Sequence, residues 1–129
     1  NRTHHVISDY ERIGDHADNI AGYVHHFADS GIKLSQSAHT ELEGLTAKVI
    51  SFVNDAQDFY LGKSEYTLPE LEAREEEVDD IVDEIQEAHI RRLENGSCSA
   101  EVGMLYQEIL TDLERIADHA VNIAQAAEK

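Results

Sequence analysis

Apolar residues recur every three or four positions along nearly the whole chain, and the pattern is interrupted only at glycine-bearing turns. Val6, Tyr10, Ile13, Ala17, Ile20, Val24 and Phe27 make the first stripe. That spacing is one face of an α-helix and predicts helix one over residues 3–29. Gly31 ends it, because glycine accepts the left-handed backbone that closes a helix. Leu42, Leu45, Val49, Phe52, Val53, Ala56, Phe59 and Tyr60 predict helix two over 37–61, closed by Gly62. Thr67-Leu68-Pro69-Glu70 reads as a capping box with proline tolerated in the first turn, so helix three starts there. Its stripe is Leu71, Val78, Ile81, Val82, Ile85 and Leu93, and Asn95-Gly96 stops it. Ser99 is placed to cap helix four, which runs to about 127 on Val102, Leu105, Ile109, Leu113, Ile116, Ala120 and Ile123.

Four long helices with short connections pack as antiparallel neighbours. The expected fold is therefore all-α, an antiparallel four-helix bundle. The chain also repeats itself. Asp9–Ala21 reads DYERIGDHADNIA and Asp112–Ala124 reads DLERIADHAVNIA, identical at ten of thirteen positions. Helix one thus corresponds to helix four. Residues 37–127 then form one complete three-helix unit, and 3–29 the last helix of a preceding, truncated unit. A repeat that begins almost at residue 1 leads us to expect a piece of a longer chain, its 129 residues forming one domain.

Composition narrows the function. The formal charge is −17, from 27 acidic residues against 10 lysines and arginines. This excludes nucleic acid, whose phosphates need basic side chains, and adsorption to anionic lipid. It favours cations or a basic partner. One cysteine, Cys98, excludes an internal disulfide. No apolar run approaches the roughly 20 residues of a membrane span, so direct membrane insertion is not expected.

The acids are ordered along the helices. Each repeat holds a Glu and an Asp four apart, Glu11 with Asp15 and Glu114 with Asp118, on one side of its helix. Helix three carries a third such pair, Glu75 and Asp79. Folding helices three and four about the Asn95–Cys98 turn sets Glu75 level with Asp118, and Asp79 level with Glu114. Four carboxylates at one height need protonation, arginine or a metal to coexist. Arg115 points about 100° away from Glu114, which leaves hard cations such as Fe³⁺, Mn²⁺, Mg²⁺ or Ca²⁺ as the best answer for an all-oxygen set. The bland alternative is a solvated acidic face. His16 and His119 are expected to pack or hydrogen-bond, not ligate, Asn19 and Asn122 to bond neighbouring groups, and Asp9 and Asp112 to face water. No phosphate-binding glycine loop and no nucleophile signature appears. No histidine has a Glu three before it, so the di-iron oxidase pattern is absent.

The doubled Glu-Arg-Ile-Gly/Ala-Asp-His-Ala-x-Asn-Ile-Ala, with Glu75-x-x-x-Asp79 on the middle helix, resembles the PhoU family of phosphate-uptake regulators. The run from Glu75 to Ala124 looks most like the PhoU-like cytoplasmic domain of bacterial sodium/phosphate cotransporters. The resemblance implies a metal-binding regulatory domain of a phosphate transport system, not an enzyme. It would act through a membrane phosphate transporter, in the same chain or a separate one. It also implies a cytoplasmic location, tethered to the inner membrane where a transporter domain is attached. The implied metal ligands are Glu75, Asp79, Glu114 and Asp118, with Glu11 and Asp15 in the other unit. The implied ions are iron first, then zinc, manganese or magnesium. The middle-helix partners of Glu11 and Asp15 would fall before residue 1, which leaves one face of helix one short of cover and predicts a homodimer. Two other readings stand beside this one: a helical adaptor without metal, and a metal-dependent phosphoesterase.

Overall fold

The computed structural model describes residues 2–127, with side chains from His5 onward. Four helices follow one another: α1 (Arg2–Ser30), α2 (Gln36–Tyr60), α3 (Leu68–Glu94) and α4 (Ala100–Ala127). Their ends are set by local chemistry. The Ser35 hydroxyl accepts the Ala38 N–H at 3.2 Å and opens α2. Thr67 and Glu70 cap α3 reciprocally, as its sequence predicts. Ser99 accepts the Val102 N–H at 3.2 Å and opens α4. Gly31, Gly62 and Gly96 sit at φ of 71°, 75° and 77°, at the three turns, where other residues would be strained.

The fold is the expected all-α helical bundle, with α4 at its centre. The helices α2 and α3 pack on α4 and on each other, and they complete a three-helix unit with it. The backbone of α1 lies along α4 alone. It runs antiparallel to α4, since Asp9 meets His119 near one end and His26 meets Glu101 near the other. The difference in cover shows in burial. Thirteen α4 residues are buried, including Tyr106, Leu110, Ala117 and Ala124, which a single-face stripe omits. On α1 only Val6 is buried among the described residues, and Ile13, Ile20, Tyr23 and Phe27 are packed in part against the core. Three members of its predicted stripe, Tyr10, Ala17 and Val24, are exposed. One neighbouring helix covers a narrower strip than two would.

Two cationic side chains stitch the unit together. Arg74 on α3 reaches Asp55 on α2 at 2.5 Å and lies over the Phe52 and Tyr66 rings. Arg92 forks onto Glu41 of α2 with bonds of 3.2 and 2.8 Å. No described helix is long and apolar enough to cross a membrane.

Candidate metal centre

Residues four apart on a helix share a face, so α3 presents Glu75 with Asp79, and α4 presents Glu114 with Asp118. The antiparallel packing of α3 on α4 turns these faces together. The protonated Glu75 carboxyl donates to Asp118, and the protonated Glu114 carboxyl donates to Asp79. This is the height match that the hairpin register predicts. Oxygens from Glu75, Asp79 and Asp118 lie within 4.8 Å of one another. An ion with metal–oxygen bonds of about 2.0–2.6 Å spans donors up to roughly 4–5 Å apart, so the three fit around one cation.

The electrostatics record the crowding. Partial burial first, then the hydrogen bond to Asp118 and the charges of Asp79 and Asp118, push Glu75 up to about 7. Partial burial, the bond to Asp79 and the charges of Asp79, Asp118 and Asp83 push Glu114 up to about 7. Asp79 is raised as well, chiefly by burial, although its bond from Glu114 pulls the other way. No lysine or arginine among the described residues pairs with any of the four. Without a cation the cluster shares protons; with one, it can ionise fully.

Glu11 and Asp15 are not part of this constellation. Both are exposed on α1, and no described group of potential ligands includes them. Since the α1 backbone lies beside α4 alone among the described helices, no middle helix stands opposite them.

The second consequence of the repeat is a clasp between its two copies. Asp9 and Asp112, expected to face water, instead hold the opposite histidines. His16 Nδ1 lies 2.7 Å from Asp112 Oδ1, and His119 Nδ1 lies 3.0 Å from Asp9 Oδ1. The two imidazoles stack, with centroids 5.8 Å apart. Asn19 adds a bond to Asp112 at 3.4 Å, while Asn122 is exposed. The correction has a simple cause. Asp and His are seven residues apart in each copy, two turns along one side of the helix. Laying two such helices antiparallel brings each Asp to the other's His. The D-x6-H spacing, present twice, was the signal. Asp112 is only 6% exposed. Replacing it with Ala will cost about 2 kcal/mol, since His16 and Asn19 lose a shared acceptor. A double-mutant cycle of His16→Ala with Asp112→Ala, read by urea unfolding, will give a coupling of about 1 kcal/mol. A coupling near zero would show that the clasp is incidental.

Such a molecule is a helical module organised around a carboxylate cluster and an internally repeated helix. The sequence profile described as the PhoU domain matches residues 42–127. The chain is 31% identical over 122 residues to the "Phosphate-specific transport system accessory protein PhoU homolog 1" of Thermotoga maritima. That alignment covers 92% of this chain and 50% of the relative. The chain belongs to the PhoU family. It spans about half the length of the curated relative it matches. No solved structure gives a significant match.

Proposed function

We propose that this chain is a metal-binding regulatory module of a phosphate transport system, acting without catalysis. The observation that carries the metal is the meeting of Glu75, Asp79 and Asp118 oxygens within 4.8 Å, with Glu114 bonded to the same group. Carboxylate oxygens alone suit hard cations, and iron, manganese or magnesium fit that chemistry better than zinc. Glu11 and Asp15 would join a second site only if another helix stood opposite them. Coupling to a membrane phosphate transporter, in the same chain or apart, follows from the Thermotoga relative's description as an accessory protein. Pairing of two copies would cover the exposed Ile7, Tyr10 and Val24 on α1. A cytoplasmic location belongs to the same reading. A bound ion would lock α3 to α4 and so make the module's shape respond to ion supply.

Elemental analysis of the protein purified without chelator tests the site. Bound metal will fall by more than about half in Asp79→Ala and Asp118→Ala, because each removes one oxygen donor from the set. Metal at about 100 times its dissociation constant will raise stability by about 2.7 kcal/mol in the native protein. Unchanged metal content in both variants rejects the ligand set. A melting temperature indifferent to chelator favours the helical adaptor.

A further inference from the structure

At the other end of the three-helix unit, the α1–α2 connection, the end of α3 and the α3–α4 turn enclose a cavity of about 310 Å³. Arg92 lies about 20 Å along α3 from Asp79, at 1.5 Å per residue, so this is a separate place from the acid cluster. Its lining runs against the character of the chain. Lys33, Ser35, His89, Arg92, Ser97 and Ser99 face it, and no Asp or Glu does. Glu41 stands behind the wall, bonded to Arg92 and Tyr106, so the positive charge left unpaired at the cavity is that of Lys33.

Each wall supplies donors. Lys33 has no ion pair or hydrogen bond among the described residues, so its ammonium is uncommitted. Arg92 is held in position by its fork to Glu41 and keeps guanidinium N–H groups beyond the two that Glu41 takes. His89 instead donates its Nε2–H to the Gly103 carbonyl at 3.1 Å and shapes the wall without supplying a donor. The Ser99 hydroxyl oxygen accepts the Val102 N–H and keeps its own hydrogen to donate. Ser35 and Ser99 also open α2 and α4, so the N-terminal, electropositive ends of both helices border the cavity, with the Ala38 and Val102 N–H groups taken by the cap hydroxyls.

We propose that this cavity binds a phosphoryl oxyanion, either inorganic phosphate or a small phosphomonoester. Donors arrive from three separate segments and from different directions. A tetrahedral anion offers oxygens to all of them at once, whereas a planar carboxylate offers two. The site is independent of the metal reading and would supply the module with a direct contact to phosphate.

Amide chemical shifts of the chelator-treated protein, titrated with inorganic phosphate at pH 7, test this with no metal left to bind the anion. Saturable shifts are expected at residues 35–38 and 97–102. Lys33→Glu will weaken binding about tenfold or more by placing a like charge beside the anion. Lys48→Glu, which makes the same change in net charge at the Glu77 ion pair, will stay within about twofold because solvent screens it. A parallel titration with glycerol 2-phosphate separates free ion from ester, the tighter ligand being the source. Shifts that do not saturate for either ligand, fall elsewhere, or weaken equally in the two variants overturn the site.

Discussion

In chelator, the protein will lose stability relative to its Glu75→Gln/Glu114→Gln variant as pH rises from about 4.5 to about 7. Most proteins gain stability over this window, because their carboxylates are better solvated or paired when folded. Here Glu75 and Glu114 are pushed from 4.5 up to about 7 in the folded chain. Below 4.5 both carboxyls are protonated in either state and impose no penalty. As pH rises the unfolded chain ionises first while the folded cluster retains its protons, so their contribution to stability falls until about 7 and then levels. Both groups remain partly open to water. After that screening each contributes roughly 1 kcal/mol to the fall, a shift of several degrees in Tm for a domain of this size. Other carboxylates in the chain titrate too; Glu70, for instance, is held low by the Thr67 backbone N–H. The measurement is therefore a difference. Thermal melts in chelator at several pH values will show the wild type losing stability relative to Glu75→Gln/Glu114→Gln, in which the cluster cannot ionise at those positions. Adding a divalent cation at pH 7 or above will reverse the loss in the wild type only. Parallel pH profiles for the two proteins would remove the crowded-carboxylate account.

The largest single loss of stability will come from Tyr106. Its ring is fully buried among α2, α3 and α4, 5.0 Å from the His89 ring. Its hydroxyl donates toward the Ala38 carbonyl and Glu41 Oε1, both at 3.0 Å, and the Arg92 guanidinium lies 5.8 Å from its centroid. Tyr106→Ala empties a space that three helices share and will cost about 3–5 kcal/mol. Tyr106→Phe keeps the ring and removes only the hydroxyl. Glu41 still holds Arg92 in that variant, so its cost will be about 1–2 kcal/mol. Urea unfolding of the two variants divides the packing from the hydrogen bonds. An alanine variant within about 1 kcal/mol of wild type would contradict this picture of the core.

That Tyr106 escaped the sequence pattern while Leu113 did not has a physical basis. A stripe at three-to-four spacing presumes a helix with one covered side. For α2 and α3 that presumption is close to true, and their bounds follow from the pattern, as does the Thr67–Glu70 box that caps α3, while the Ser35 cap of α2 was not read from it. The helix α4 is enclosed by all three others, so its second and third apolar faces, with Tyr106, Leu110 and Ala117, read as interruptions of the first. The helix α1 errs the other way: Tyr10, Ala17 and Val24 fit the period but stay exposed, Tyr10 reaching α2 through its hydroxyl, 3.0 Å from Gln57 Oε1. The level meeting of Glu75 with Asp118 and Asp79 with Glu114 was legible because a hairpin's register follows from its turn. The histidine clasp was not, because pairing α1 with α4 requires knowing that distant helices touch. The cavity beside Lys33 was equally hidden, since its walls come from three stretches of chain with no shared motif.

The clasp makes the contact between α1 and α4 symmetric in itself. Exchanging each residue with its repeat partner turns the Asp9–His119 bond into Asp112–His16, so an approximate dyad passes between the stacked rings. One stretch of sequence therefore encodes both walls of the joint, in the manner of a homodimer written into a single polypeptide. The copies nonetheless sit in unlike surroundings, with Ala120 buried on α4 and its counterpart Ala17 exposed on α1, so the same substitution made in both acts twice on the joint but unequally on the core.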